Sequence, residues 1–589
     1  MIERYAYLYY KYQAFRSFLH GTRHGRKYQE KVLLEKIRRN KDSEFGRQHG
    51  FAEIRNIADF RRLLPITNYE YYRPWVERVK RGELGAMFGP GTKVLMFALT
   101  SGTTSQPKYV PVTDEFFREY RNGWHLWGVR LYWDHKDLVY KKTVKLASNW
   151  REEYTPAGIP CGAISGLVGE TAPLLARLRF LLPPNVIEIH RPRAKHYVVL
   201  RIALASRKVG LLGTANPSTL VELARLADEE RESLLRDIHN GSLRADLEIP
   251  KNVVEKLRPH VRRRDPKRAK ELEKVIDEFG RLYLGAAWPQ LSVLAVWTGG
   301  PVRIFLPLLK QHFGPCAIRD HGLSASEGHM TVPFEDFSSA GILEYCHHFF
   351  EFIPVEERNS AQPTVLLAHE LEEGRDYYIL LTTSSGFYRY DIQDVVRCVG
   401  FIHEVPIIEF LSKGAHFSSF TGEKLSEYQV VEAVSAAFRR LDLPLQTFTL
   451  APTMGERPRY VLLLEPGKTE GREAELAKAV TEELARVNCE YANRLETHRL
   501  DPVEVRYVPR GSWTALRQLR THQRGNFEEY KHPCLVADLN FIGKLYSLAL
   551  GSSDRPADEN NSPAEDDLSP TSPPFFAHHV RLNTLKGNS

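Results

Sequence analysis

The 589-residue chain has few cysteines, and the six present, Cys161, Cys316, Cys346, Cys398, Cys489 and Cys534, form no CxxC pair. That spacing excludes a zinc ribbon and a disulfide scaffold and leaves reduced thiols as the expectation. Nowhere do about 18 apolar residues run together, so no membrane-spanning helix is expected. Glu3, Arg4 and Lys11 interrupt the N-terminal tyrosines, which excludes the unbroken apolar core of a signal peptide. A soluble cytoplasmic protein without a membrane partner is the expectation. A Walker GxxxxGK[ST], a GxSxG nucleophile elbow and a fixed-period repeat are all absent. No excess of one sign of charge stands out either. The 81 basic and 73 acidic residues leave a net +8, which favours anionic small ligands without specifying nucleic acid.

What is present is an α/β texture in a chain long enough for roughly three or four packed units. Val32, Leu33, Leu34 and Ile37 recur at helical spacing within the charged stretch 24–42 and predict amphipathic helices near the start. From about residue 92, short apolar runs alternate with helices. One helix is predicted from Asn216 as N-cap and Pro217 as first residue, through Leu220, Leu223, Leu226 and Leu234, to a close at Asn240-Gly241. Others are predicted over 266–280 and 301–313. Successive strands are expected at 342–344, 349–354, 364–368, 377–383, 395–401 and 407–411. A smaller α/β stretch follows, with helices at 426–440 and 471–488 and strands near 444–451, 459–465 and 503–508. The expected organisation is a large domain over 1–412, a hinge at 413–425, a small domain over 426–550, and a disordered Ser/Pro/Asp/Asn-rich tail over 551–589.

Five segments carry chemistry. Behind the apolar run Val94 to Leu99, Ser101, Gly102, Thr103, Thr104 and Lys108 combine hydroxyls, a flexible backbone and a point charge, the composition of a phosphate cradle. In Gly322-Leu323-Ser324-Ala325-Ser326-Glu327-Gly328, small residues flank Glu327. Mg²⁺ on a triphosphate usually takes one or two protein carboxylates, so Glu327 is the metal candidate. His321 and His329, eight apart in a loop context, are not read as ligands. In the run Gly386 to Val396, Asp394 stands at a strand junction, where an ionised carboxylate accepts from two ribose hydroxyls. There the aromatics and Arg389 also read as cross-strand packing and an ion-pair partner. Lys424 in Thr421-Gly422-Glu423-Lys424 can swing to a phosphate from a hinge, and Lys531 in Tyr530-Lys531-His532-Pro533 offers another amine.

In this order the segments resemble the ANL adenylate-forming superfamily, and more closely the Gretchen Hagen family of acyl-acid amido synthetases, over about residues 30–540. Further matching parts are Thr298-Gly299-Gly300, Phe350-Glu351-Phe352-Ile353-Pro354 and Val487-Asn488-Cys489-Glu490-Tyr491. The resemblance implies an ATP- and acid-binding large domain and a small mobile α/β domain. It also implies two steps, acyl-AMP formation from a small carboxylic acid and ATP, then capture by an amino acid amine. In that scheme Ser101, Gly102, Thr103, Thr104 and Lys108 meet phosphate, Thr298, Gly299 and Ser326 line the nucleotide site, Asp394 holds the ribose and Glu327 holds Mg²⁺. Lys424 and Lys531 meet phosphate or the adenylate. Three positions depart from the pattern. Ser105 and Gln393 stand where glycines are common, and Leu323 stands where many relatives have an adenine-stacking tyrosine. Two other readings share parts of this chemistry, a coenzyme A thioester-forming ligase and a binding protein that has lost turnover. The acid, the acceptor and the oligomeric state are not legible.

Overall fold

The computed structural model describes all residues except 1, 101–107, 173, 359, 415–416, 419–422, 424, 455–456, 497–498, 525–529 and 554–589. Ser101, Gly102, Thr103, Thr104, Ser105, Lys424 and nearly all of the predicted tail therefore lie outside the described residues. Among the described residues, no helix is long and apolar enough to cross a membrane.

Four short strands, Lys142–Lys145, Val209–Gly213, Val293–Ala295 and Ala317–Arg319, pair in that order, all parallel. The two central runs, Val209–Gly213 and Val293–Ala295, are apolar on both sides because a parallel sheet is covered on both faces, whereas the outer strands end in Lys145 and Arg319. Val144, Leu212, Leu294 and Ile318 belong to one core with helices Pro192–Leu204 and Pro217–Glu229. Leu211, Val293 and Ala295 belong to the other, with the long helix Asp114–Asp134.

A second, antiparallel sheet of seven strands runs in the order 331–332, 341–343, 405–413, 390–402, 376–382, 349–354 and 366–367. It contains every strand expected between 342 and 411, though the predicted 364–368 strand shrinks to Leu366–Leu367. There the chain turns into a short 3-10 helix whose Glu370 carboxylate accepts the Leu367 N–H at 2.7 Å.

Asn216 caps its helix as expected, its side chain accepting from Ser218 N–H, and Gly241 closes the segment at φ 68°. The single helix expected between them is two, Pro217–Glu229 and Arg231–Asn240. The break is at Glu230, whose carboxylate is clamped by Arg193 (2.7 Å) and Arg244 (2.6 Å). The helix expected over 301–313 opens as 3-10 turns, Gly300–Phe305, before Leu306–Phe313.

Beyond residue 426, helix Glu427–Arg440 starts with a Ser426/Gln429 capping box. The strands Phe448–Met454, Pro458–Leu464 and Asp501–Tyr507 form a three-stranded sheet. Helix Glu473–Val487 packs on one face, whose apolar side chains join the same core as the outer face of the parallel sheet, while Ala451, Val461 and Leu463 on the other face form a separate small core with Leu516 and Leu545.

Candidate functional site

Lys108 opens the strand Lys108–Thr113 directly opposite Thr100, so the two ends of the 101–107 segment are paired across antiparallel strands. Its ammonium lies 5.7 Å from the Tyr69 ring centroid. Burial pushes the Lys108 pKa down, the Glu327 carboxylate partly restores it, and Lys413 lowers it further, with Asp394 among the remaining charges that act on it.

Glu327 is buried at the turn of a tight hairpin, Ser324–Ala325 against Gly328–His329, with half-buried Ser326 beside it. Tyr390 O–H donates to Glu327 Oε1 at 3.4 Å. Asp394 comes from the far side, on the strand Tyr390–Ile402, and pairs across the sheet with Lys413, the last residue of Val405–Lys413. The Lys413 ammonium is 2.5 Å from Asp394 Oδ1 and donates to the Ile392 carbonyl at 3.0 Å. Burial works against the charge on Lys413, but Asp394 and then Glu327 outweigh it and raise its pKa.

Register slips on both sides of 391–396 mark an irregular ladder, the kind of bulge that re-aims a side chain. Gln393 there has φ 61°, the left-handed backbone that glycine adopts freely. The departure from glycine thus leaves the turn's geometry in place, stitched by Gly414 N–H to the Gln393 carbonyl at 2.6 Å.

Three sequence candidates, Lys108, Glu327 and Asp394, therefore share one electrostatic neighbourhood. Three residues that the sequence reading gave no role, Tyr69, Tyr390 and Lys413, complete it. Lys413 had one usable signal: it is the first lysine after Lys310 and ends a strand.

The Thr298 turn follows the parallel strand 293–295. Thr298 donates both its N–H (2.6 Å) and its hydroxyl (2.5 Å) to Asp320 Oδ2, while Gly322 N–H meets Asp320 Oδ1 at 2.5 Å. Asp320 is fully enclosed, and burial pushes its pKa up to about 6 against these donors. The Thr298 hydroxyl is thus occupied in holding two loops together, Gly299 and Gly300 beside it are buried, and the Trp297 ring is half-buried. Gly300, at φ 60°, packs so closely that an added Cβ would lie 2.7 Å from the Leu411 carbonyl.

Lys531 reaches the same edge of the molecule. Its ammonium lies 4.2 Å from the Trp297 ring centroid, and the Tyr530 carbonyl accepts from the Asn216 side chain. Leu323 is buried in the core with its N–H on Thr331 Oγ1 at 2.8 Å, so it takes no tyrosine-like position over a ligand. Arg389 and Tyr388 follow the plainer reading. Arg389 pairs with buried Glu351 at 3.0 Å and Tyr388 is packed at 0% exposure. Among the described residues, no cluster of three or more His, Cys, Asp or Glu side chains is placed to cage a metal.

Comparison with known proteins completes the description. The GH3 family N-terminal domain matches residues 14–318, the central domain 341–413 and the C-terminal domain 428–540. "Probable indole-3-acetic acid-amido synthetase GH3.1" of Oryza sativa subsp. japonica is 25% identical over 550 residues, covering 88% of this chain and 88% of its own. Indole-3-acetic acid-amido synthetase GH3.15 of Arabidopsis thaliana is 24% identical, covering 87% of this chain and 90% of its own. A solved structure described as AtGH3.15 acyl acid amido synthetase in complex with 2,4-DB superposes with a TM-score of 0.80 at 21% identity, over 91% of this chain and 96% of that one. The domain matches follow one another through most of the sequence and the architecture agrees with them, so the chain belongs to the GH3 family.

Proposed function

We propose that this protein is an ATP-dependent ligase that adenylates a small carboxylic acid and passes the acyl group to the amine of an amino acid. The observation that carries the reading is the meeting of Lys108, Glu327 and the Asp394–Lys413 pair in one neighbourhood, although they come from residues far apart in sequence. The relatives' names, which describe amide-forming synthetases of plant acids, agree with it.

In the first step a carboxylate oxygen of the acid attacks the α-phosphorus of ATP, a P–O bond breaks, and pyrophosphate leaves. Both reactants are anions, so the protein's work is to hold them together and offset charge. Lys108 and Lys413 supply fixed positive charge, and Asp394 accepts from the ribose hydroxyls. A lone buried carboxylate beside a phosphate site suits Mg²⁺, which takes the rest of its ligands from phosphate oxygens and water. Glu327 would hold that ion, which would supply Lewis-acid neutralisation of the polyphosphate. In the second step the amine attacks the acyl carbon, the C–O bond to AMP breaks, and the amine's proton leaves to solvent. Lys531 and Lys424 attend this exchange as residues 426–550 move about a hinge at 413–425.

ATP–pyrophosphate exchange over a panel of acids, followed by amide analysis with added amino acids, tests the reading. Exchange that needs an acid, and an amide product, are expected; no exchange with any acid would remove the ligase reading. Glu327→Ala should cut exchange by about 10²-fold or more with the fold intact, consistent with loss of charge stabilisation in the transition state. A circular dichroism spectrum of an unfolded chain would instead make Glu327 a scaffold residue.

A further inference from the structure

The Glu327 carboxylate is held by little of its own. Among the described residues its one hydrogen bond is the 3.4 Å contact from Tyr390, so its place depends on where the hairpin backbone sits. Two glycines bear on that. Gly123 lies within helix 114–134 and Gly328 on the returning arm of the hairpin, both buried and neither at positive φ. The backbone therefore demands no glycine at either position, and in mid-helix a glycine costs stability relative to alanine. What demands them is space. A Cβ on Gly123 would stand 2.5 Å from His329 Nδ1, and one on Gly328 would stand 3.3 Å from His348 Cδ2 and 3.4 Å from its Nε2.

His329 thus sets its ring into a notch in helix 114–134, while His348 brings its ring against the residue just before. Both rings are fixed in place. Gln29 donates to the Tyr345 and His348 carbonyls (2.7 and 2.6 Å) and accepts from Phe350 N–H (2.9 Å), pinning the chain on both sides of His348. Glu119 Oε2 lies 3.7 Å from His348 Nδ1, and Glu119 Oε1 accepts from the buried Lys36 at 2.7 Å. The Trp124 ring, 5.2 Å from His329 between centroids, bounds the other imidazole. No ring nitrogen of either histidine has a hydrogen-bond partner among the described residues, and burial holds both rings neutral. Buried polar atoms without partners are rare in folded chains. The hold of these rings on the hairpin is therefore steric.

The geometry points to His329 and His348 as positioning residues for Glu327, each seated against a glycine, which together fix the hairpin arm and so the place of the carboxylate. The proposal rests on the ligase reading, in which Glu327 holds Mg²⁺. A displaced arm should then weaken binding of Mg·ATP and spare ATP alone.

Calorimetric titration of the full chain with Mg·ATP, and with ATP in EDTA, tests it. Gly123→Ala and Gly328→Ala should each weaken Mg·ATP about fivefold or more and change metal-free ATP less than about twofold, a split that general loosening of the fold would not give. Adding His329→Ala to the first, or His348→Ala to the second, removes the clashing ring and should recover at least half of the loss. In a Glu327→Ala background neither glycine substitution should weaken Mg·ATP further. Equal weakening of both forms of ATP, losses that simply add, or a loss that persists without Glu327 overturns the proposal. Gly328→Ala is the milder change and carries the test if Gly123→Ala does not fold.

If wild type binds Mg·ATP no better than ATP alone, the cation role of Glu327 in the ligase reading fails, and the seat is judged by itself. Hydrogen exchange of the hairpin amides 324–329 should quicken in each glycine variant and slow again in the matching double variant. Unchanged exchange overturns the seat.

Discussion

Gln393 and Lys413 show how much a single residue decides at this site. Gln393 takes the left-handed conformation that a glycine would adopt without strain, and it keeps the bulge that aims Asp394. Lys413 pairs with Asp394 in a place where only 4% of that carboxylate's side chain is exposed. Lys413→Met should therefore destabilise the chain, because it strands a buried carboxylate. Breaking a buried pair costs about 3–5 kcal/mol, and the one-third exposure of Lys413 brings the expected loss to roughly 2 kcal/mol. The same variant should raise the KM for ATP. A denaturation midpoint and an ATP titration check both, and an unchanged midpoint would mean that water already screens the pair.

At the scale of elements, Asp320 sets the relation between the Thr298 turn and the Glu327 hairpin, since its two oxygens take N–H or O–H groups from Thr298 and Gly322. Asparagine has one acceptor oxygen in place of two, so Asp320→Asn leaves at least one buried donor unmet, for about 1–3 kcal/mol at pH 7. The acid's folded pKa, about 6, lies above its ordinary 3.8. Between those values the native chain holds a proton that the unfolded chain gives up, so this group's contribution to stability falls as pH rises through the window. The margin of wild type over Asp320→Asn should accordingly shrink between about pH 4.5 and pH 6 and then level off. Urea titrations across that range decide it, and a margin that grows with pH would mean that the hydrogen bonds outweigh burial.

Over the whole molecule, one apolar core runs from the outer face of the parallel sheet into residues 425–535. Arg303 ties the junction, bridging Glu409 of the antiparallel sheet and Glu432 of helix 427–440, the latter at 3.2 Å. A chain ending at residue 425 should therefore expose Val430-facing core, bind a hydrophobic dye and melt earlier than the full chain. If it melts at the wild-type temperature without binding dye, the two parts are independent units and the shared core is incidental.

Much of this architecture is legible locally. The strand 349–354, the helix 427–440 with its cap, and the Asn216-Pro217 helix start are announced by alternation, capping residues and proline, which act within a few residues of themselves. The break at Glu230 is not legible, because it depends on Arg193 and Arg244 arriving from other segments.

The same division holds for function. Sequence by itself determined the order of chemistry-bearing segments, and with it the family, since composition and spacing are properties of the chain alone. Only the tertiary structure decided that Lys413 meets Asp394, that the Thr298 hydroxyl is spent on Asp320, and that the His348 ring lies against Gly328. Those facts depend on which strands lie side by side, and strand order is settled by packing over the whole molecule, not by any local pattern.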